Sequence, residues 1–175
     1  MHPTENVSKG GRQAAPRARL GGEKPEAQLA SFIRKFEPSV AKLIRDCRSE
    51  IRKTLPSAIE LVYDNYNFFV IGYSSTERAS DCIVSIAAAA NGVGLSFYWG
   101  ANLPDPTGIL QGSGKQNRFI RITNLKVLRM PEVIGLVKMA AAQGKTALKA
   151  GGVGRLVIKS VSSRQRPRRR TANTA

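Results

Sequence analysis

The stretch that most constrains the fold is residues 58–73, the most apolar and aromatic part of the chain. Ile59, Leu61 and Tyr63 alternate with Glu60, Val62 and Asp64, the two-residue period of a pleated strand. Asp64-Asn65-Tyr66-Asn67 supplies turn formers, and 68–73 resumes as an almost unbroken β-prone run. A run apolar on both faces belongs inside a sheet, so 68–73 is expected as a central strand. The rest of the chain is expected to pack against this hairpin.

Upstream, Leu29, Phe32, Ile33 and Phe36 fall at i, i+3, i+4 and i+7, one face of a helix. Pro38 interrupts, and a second helix carries Val40, Leu43, Ile44, Cys47 and Ile51 on one stripe. Its Lys42, Arg45, Arg48 and Arg52 are interspersed with Asp46 and Glu50, the pattern of a solvated face of mixed charge. Leu55-Pro56 closes it, because a residue before proline resists helical geometry. Downstream, 81–90 reads as a third strand, and Asn91-Gly92 suits a two-residue type I′ hairpin. Val93, Leu95, Phe97 and Trp99 then alternate with Gly94, Ser96 and Tyr98, a strand with one large-residue face. A fifth strand is expected over 118–123, and a last helix from Pro131-Glu132 to Gly144.

The order is two helices, five strands and one helix. Short connections between strands favour an antiparallel meander, since parallel neighbours need long crossovers. The expected class is α+β: an antiparallel sheet of about five strands with helices packed on one face, a two-layer sandwich. At 175 residues the chain suits one domain with a real core. The formal charge of +16 is uneven: residues 1–25 hold +3, 26–143 hold +4 and 144–175 hold +9 with no acid at all. The domain is expected over 26–144, between a disordered basic segment 1–25 and a flexible basic tail 145–175.

Several segments, in order, carry a resemblance. Arg48-Ser49-Glu50-Ile51-Arg52, Leu55-Pro56, Glu60-Leu61-Val62-Tyr63, Gly100-Ala101-Asn102-Leu103-Pro104-Asp105-Pro106 and Gly112-Ser113-Gly114-Lys115-Gln116 resemble the YdhG-like domain family. The resemblance covers roughly residues 26–143. It implies a frataxin-like α+β layout, and one described branch of that family is an intracellular iron chaperone resembling frataxin. It implies no catalytic residues, since most members have no assigned activity. Iron capture of that kind uses a ridge of carboxylates, because hard cations need oxygen ligands. Residues 26–55 instead hold four acids against seven Lys/Arg, a surface that repels a cation.

The only histidine is His2, which leaves no Ser-His-Asp or Cys-His catalysis and no histidine metal site in the expected domain. Cys47 and Cys82 read as buried reduced thiols rather than a disulfide framework or a zinc site. A non-enzymatic protein without a cofactor is expected. Gly114-Lys115-Gln116 and Gly144-Lys145-Thr146 each lack the first glycine of a phosphate loop. No apolar run is long enough for a membrane span, and no signal-peptide-like stretch occurs, so a cytoplasmic location without membrane contact is expected.

Two candidate sites remain. The 18-residue link 100–117 exceeds the common connection length, and such loops are often functional. Gly112, Ser113 and Gly114 can turn backbone N–H groups toward one point as an anion nest, with Lys115, Arg118 and Arg121 adding charge and Tyr63 and Trp99 as walls. The ligand expected there is a small anion or phosphorylated metabolite; an Ω-like structural loop is the other reading. The second candidate is the tail, where Arg164, Arg166, Arg168, Arg169 and Arg170 would bind nucleic acid nonspecifically. No aromatic residue follows Phe119, so base stacking by the tail is not expected.

Overall fold

The computed structural model describes residues 24–170. The disordered segment expected over 1–25 therefore lies almost wholly outside the described residues. Two helices come first, α1 (Pro25–Ile33) and α2 (Pro38–Thr54), each with proline at its start, where the missing N–H costs nothing. Strands β1 (Ile59–Asp64), β2 (Phe69–Ser74), β3 (Cys82–Ala89), β4 (Gly92–Phe97) and β5 (Arg118–Ile122) follow, then α3 (Pro131–Ala142) and a last strand, β6 (Leu156–Val161).

The protein is α+β, and the run expected over 68–73 supplies an interior strand, β2, which lies one residue later and leaves Phe68 outside it. The sheet order is β5-β4-β3-β2-β1-β6. The first five strands form the antiparallel meander, while β6 returns to pair with β1 in parallel. The sheet is thus six-stranded and mixed rather than five-stranded and antiparallel. The sixth strand comes from the segment expected as a flexible tail. Its Leu156-Val157-Ile158 run adds to the β1 edge, and Leu156 and Ile158 pack against the core. Parallel pairing is possible because the 91 residues between the end of β1 and the start of β6 provide far more chain than a crossover needs.

Cross-strand register separates the two faces. Val62, Ile71, Ile86, Leu95 and Ile120 form one row, flanked by Tyr73-Val84-Phe97 and Phe69-Ala88-Val93-Ile122. These rows meet Leu29, Phe32 and Ile33 of α1, Ala41, Ile44, Cys47 and Ile51 of α2, and Val133, Leu136 and Val137 of α3 in one continuous core. On the opposite face the rows are Val70-Ala87-Gly94-Arg121 and Gly72-Ser85-Ser96-Phe119. No described helix packs there. The β3–β4 turn differs from the type I′ expectation: Ala90 and Asn91 occupy it with negative φ, and the left-handed step falls on Gly92 (φ 130).

Polar clips tie the layers together. Arg48 of α2 donates two hydrogen bonds to the buried Glu60 of β1 (2.9 and 2.6 Å) and two more to Glu26 of α1 (2.9 and 2.7 Å). At the far end of β1, Asp64 is 1% exposed and accepts from Lys35 (2.6 Å) and from Arg168 (3.0 Å), itself 3% exposed. Arg168 also donates to the Asn65 and Asn67 carbonyls (2.5 and 2.9 Å) and lies over the Phe36 ring. Gln165 donates to the Asp64 carbonyl, and the Arg166 amide to that of Tyr66. The arginine-rich segment is therefore strapped across the β1–β2 turn, because a buried carboxylate there needs a cation.

Candidate functional site

The structure does not bring the expected anion-site residues together. Tyr63 stands on β1 and the 100–117 loop adjoins β5, four strand spacings or about 19 Å away across the sheet. Burial, with a smaller contribution from Cys82, raises the Tyr63 phenol above its ordinary range. Trp99 lies past the end of β4 and lines a different groove with Arg78, Asp81, Asn102, Gln143 and Lys145.

The glycine run of the loop turns at a single residue. Of Gly112, Ser113 and Gly114, only Gly112 has positive φ (106). What converges beside them is carbonyl oxygen: the Arg118 guanidinium donates to the Gly114 carbonyl and to that of Asn117 (2.8 Å). The loop thus satisfies a cation of its own, Arg118. Asp105 accepts from the Ile109 and Leu110 amides (3.1 and 2.8 Å), and Gln111 exchanges both backbone hydrogen bonds with Phe119 (2.8 and 3.0 Å). These bonds make the loop a brace along the outer edge of β5. Lys115 projects into solvent.

Arg121 belongs to another groove, on the uncovered sheet face. Its floor is β3 and β4, where Ser85, Ala87, Ala89, Gly92, Gly94 and Ser96 present nothing larger than a methyl or hydroxymethyl group. One wall is Phe68 and Val70, the other Phe119, Asn117 and Arg121, and the space between holds about 480 Å³. Phe68 is 51% exposed and Phe119 37%. Gly112 packs close to the Phe119 ring, so the loop props one wall. The β5 wall carries polar groups beside Phe119: Asn117 accepts from the Ser96 hydroxyl (2.7 Å), and Arg121 donates to the Asn91 carbonyl (3.3 Å). Among the described residues no carboxylate comes within 4 Å of Arg118 or Arg121.

The glycines of this face differ in their reasons. Gly92 needs its positive φ, and a Cβ on Gly72 would meet the Cys82 sulfur at 3.1 Å. Gly94 has neither constraint: a Cβ there would meet only the Ile120 and Ala87 carbonyls, at 3.6 and 4.0 Å. A glycine in a strand interior weakens the strand and often marks the close approach of a ligand or another backbone. Phe68, Phe119, Asn117 and Gly94 line this candidate site, and the motifs of the sequence pointed to none of them. The signal was present in the small-residue face of 93–97.

Elsewhere, among the described residues, no three His, Cys, Asp or Glu side chains are grouped as metal ligands, and no helix is long and apolar enough to cross a membrane. Burial pushes the thiols of Cys47 and Cys82 up to about 12, so neither is a nucleophile at neutral pH. Of the five arginines expected to hold nucleic acid, Arg168 is buried in its ion pair and Arg166 stands over the Tyr66 ring. Arg164, Arg169 and Arg170 are exposed. Comparison with protein-family models, with curated proteins and with solved structures returns no match.

Proposed function

We propose that the protein is a non-enzymatic binding module for a small amphipathic anion, seated on the uncovered sheet face between Phe68 and Phe119. The observation that carries this reading is the pairing of a bare apolar floor with a guanidinium, Arg121, that has no carboxylate partner among the described residues. Binding sites are commonly apolar concavities with a few polar groups, and Asn117 and Arg121 supply such groups along the β5 side of this one. We further propose that the domain is YdhG-like with a frataxin-like layout. The ordered segments resembling that family support this, as do a meandering sheet and helices on a single face.

A thermal-shift screen of small carboxylates and phosphates tests the site. The expected result is stabilisation that Arg121→Gln removes and that a Lys115→Ala/Arg118→Ala pair leaves in place. The reverse pattern would move the site to the loop, and no stabilisation by any anion would end the reading.

A second reading is nonspecific nucleic-acid binding through the C-terminal segment. It is supported by four exposed arginines, Arg164, Arg166, Arg169 and Arg170, in a stretch without acids. Four phosphate contacts give a slope of log K against log salt of roughly −3 to −4, well below that of a fully free tail. Retention on DNA or RNA that survives replacement of all four by serine would remove it. An iron-chaperone role has less support. Glu26, Glu60 and Asp64, the carboxylates along α1 and β1, are already held by Arg48, Lys35 and Arg168.

A further inference from the structure

Resting on the sheet-face reading above, we propose that the groove selects a planar aromatic acid, its ring lying flat on β3 and β4 and its anionic group at Arg121. Three features point to flatness. The floor is a two-strand strip whose largest projections are the Ala87 and Ala89 methyls and the Ser85 and Ser96 hydroxymethyls. The walls rise only one side chain above it, on strands three spacings or about 14 Å apart. A ring laid face-down touches such a strip over its whole area, while a puckered saturated ring touches it at a few hydrogens.

Gly94 sharpens the case. Alanine would fit the fold there and would favour the strand, yet the position is left bare. Arg121, its partner across β5, does not fill the space, since its side chain reaches past Gly92 to the Asn91 carbonyl instead. The room above Gly94 is thus unused by the described chain, and it lies beside the one charged group of the groove. Four of the five guanidinium N–H groups of Arg121 make no hydrogen bond to the described residues, a donor set suited to a carboxylate. The charge lies on one side only: Val70, Phe68 and the two alanines line the β2–β3 side, and Arg121 stands with Asn117 and Phe119 on the β5 side.

The test is calorimetric titration of the full chain with 2-naphthoate, with decahydro-2-naphthoate as its saturated counterpart, and with neutral 2-naphthalenemethanol. The planar acid is expected to bind roughly three- to tenfold more tightly than the saturated acid, and about tenfold more tightly than the alcohol. Gly94→Val should abolish the preference for the planar ring while leaving the fold intact by circular dichroism. Ala87→Leu raises the floor from the neighbouring strand and serves if the β4 variant fails to fold. Equal affinity for the two acids, with both lost in Arg121→Gln, would overturn planarity and leave the sheet-face reading standing. Binding of neither acid, or binding indifferent to Arg121→Gln and to both floor variants, would overturn the reading beneath it as well.

Discussion

Leu95 and Gly94 are neighbours on β4 and face opposite sides of the sheet. Leu95 is 1% exposed beneath the helices, in a row of branched side chains, whereas Gly94 sits on a strip of alanine, serine and glycine that no described helix covers. A two-layer protein ordinarily clothes its free sheet face with polar side chains, because one face is packed and the other solvated. Here the free face is stripped instead. The contrast indicates that the covered face carries the stability and the stripped face is kept open at some cost to it.

Substitutions on the two sides should therefore differ in size and even in sign. The largest loss is expected where the C-terminal strap enters the covered layer. Arg168→Ala leaves Asp64 buried with only Lys35, and urea unfolding should show a loss of about 3–5 kcal/mol. Arg170→Ala, at an exposed position two residues on, should change stability by less than about 0.5 kcal/mol. Equal effects of the two would mean that the strap is not part of the folded layer.

Next comes Leu95→Ala, for which a loss of about 2–5 kcal/mol is expected from the cavity left under the helices. Acid should loosen the covered layer by a smaller amount. Hydrogen bonds from Arg129 and Lys53 hold the Glu50 carboxyl down at about 2, tying α2 to the 3-10 turn Leu125–Arg129. Because the folded value lies below the unfolded one, this contribution is complete above about pH 4.5 and is lost as pH falls toward 2. The pair is near the surface, so 1 M salt should shrink the effect. A pH profile of stability in Glu50→Gln that retains the full acid drop would assign that drop elsewhere.

The smallest effect has the opposite sign. Gly94→Ala should stabilise the protein by about 0.5–1 kcal/mol, since the fold has room for the methyl and alanine lowers the entropy of the unfolded chain. A destabilisation of that size would show that the glycine serves the fold after all.

Most of the covered layer was legible in the sequence. The 3.6-residue stripes of both early helices, the alternation in 59–63 and the proline at 131 are local signals, and each marks an element, although α1 ends at Ile33 and leaves Phe36 of its stripe in the turn beyond. Two things were not legible, for physical reasons. The role of 145–170 depends on a non-local pairing: Leu156-Val157-Ile158 is too short a run to read as a strand until β1 offers it an edge. Arg168 likewise looks like one more solvated cation until Asp64, over a hundred residues away, is seen to be buried. The groove escaped motif reasoning because its defining property is what its residues lack. The glycines of 112–114 stand out in the sequence, but the Gly114 carbonyl serves Arg118, whereas Gly94 of the proposed groove sits inside a strand.

The central claim, that the stripped face is the binding surface, is tested most directly by amide NMR during titration with 2-naphthoate. The account predicts shifts confined to Ser85, Ala87, Gly94, Ser96, Asn117 and Arg121, with the covered-face amides of α1 and α2 unmoved. Shifts centred on Gly112, Ser113 and Lys115, or on the arginines after 163, would contradict it.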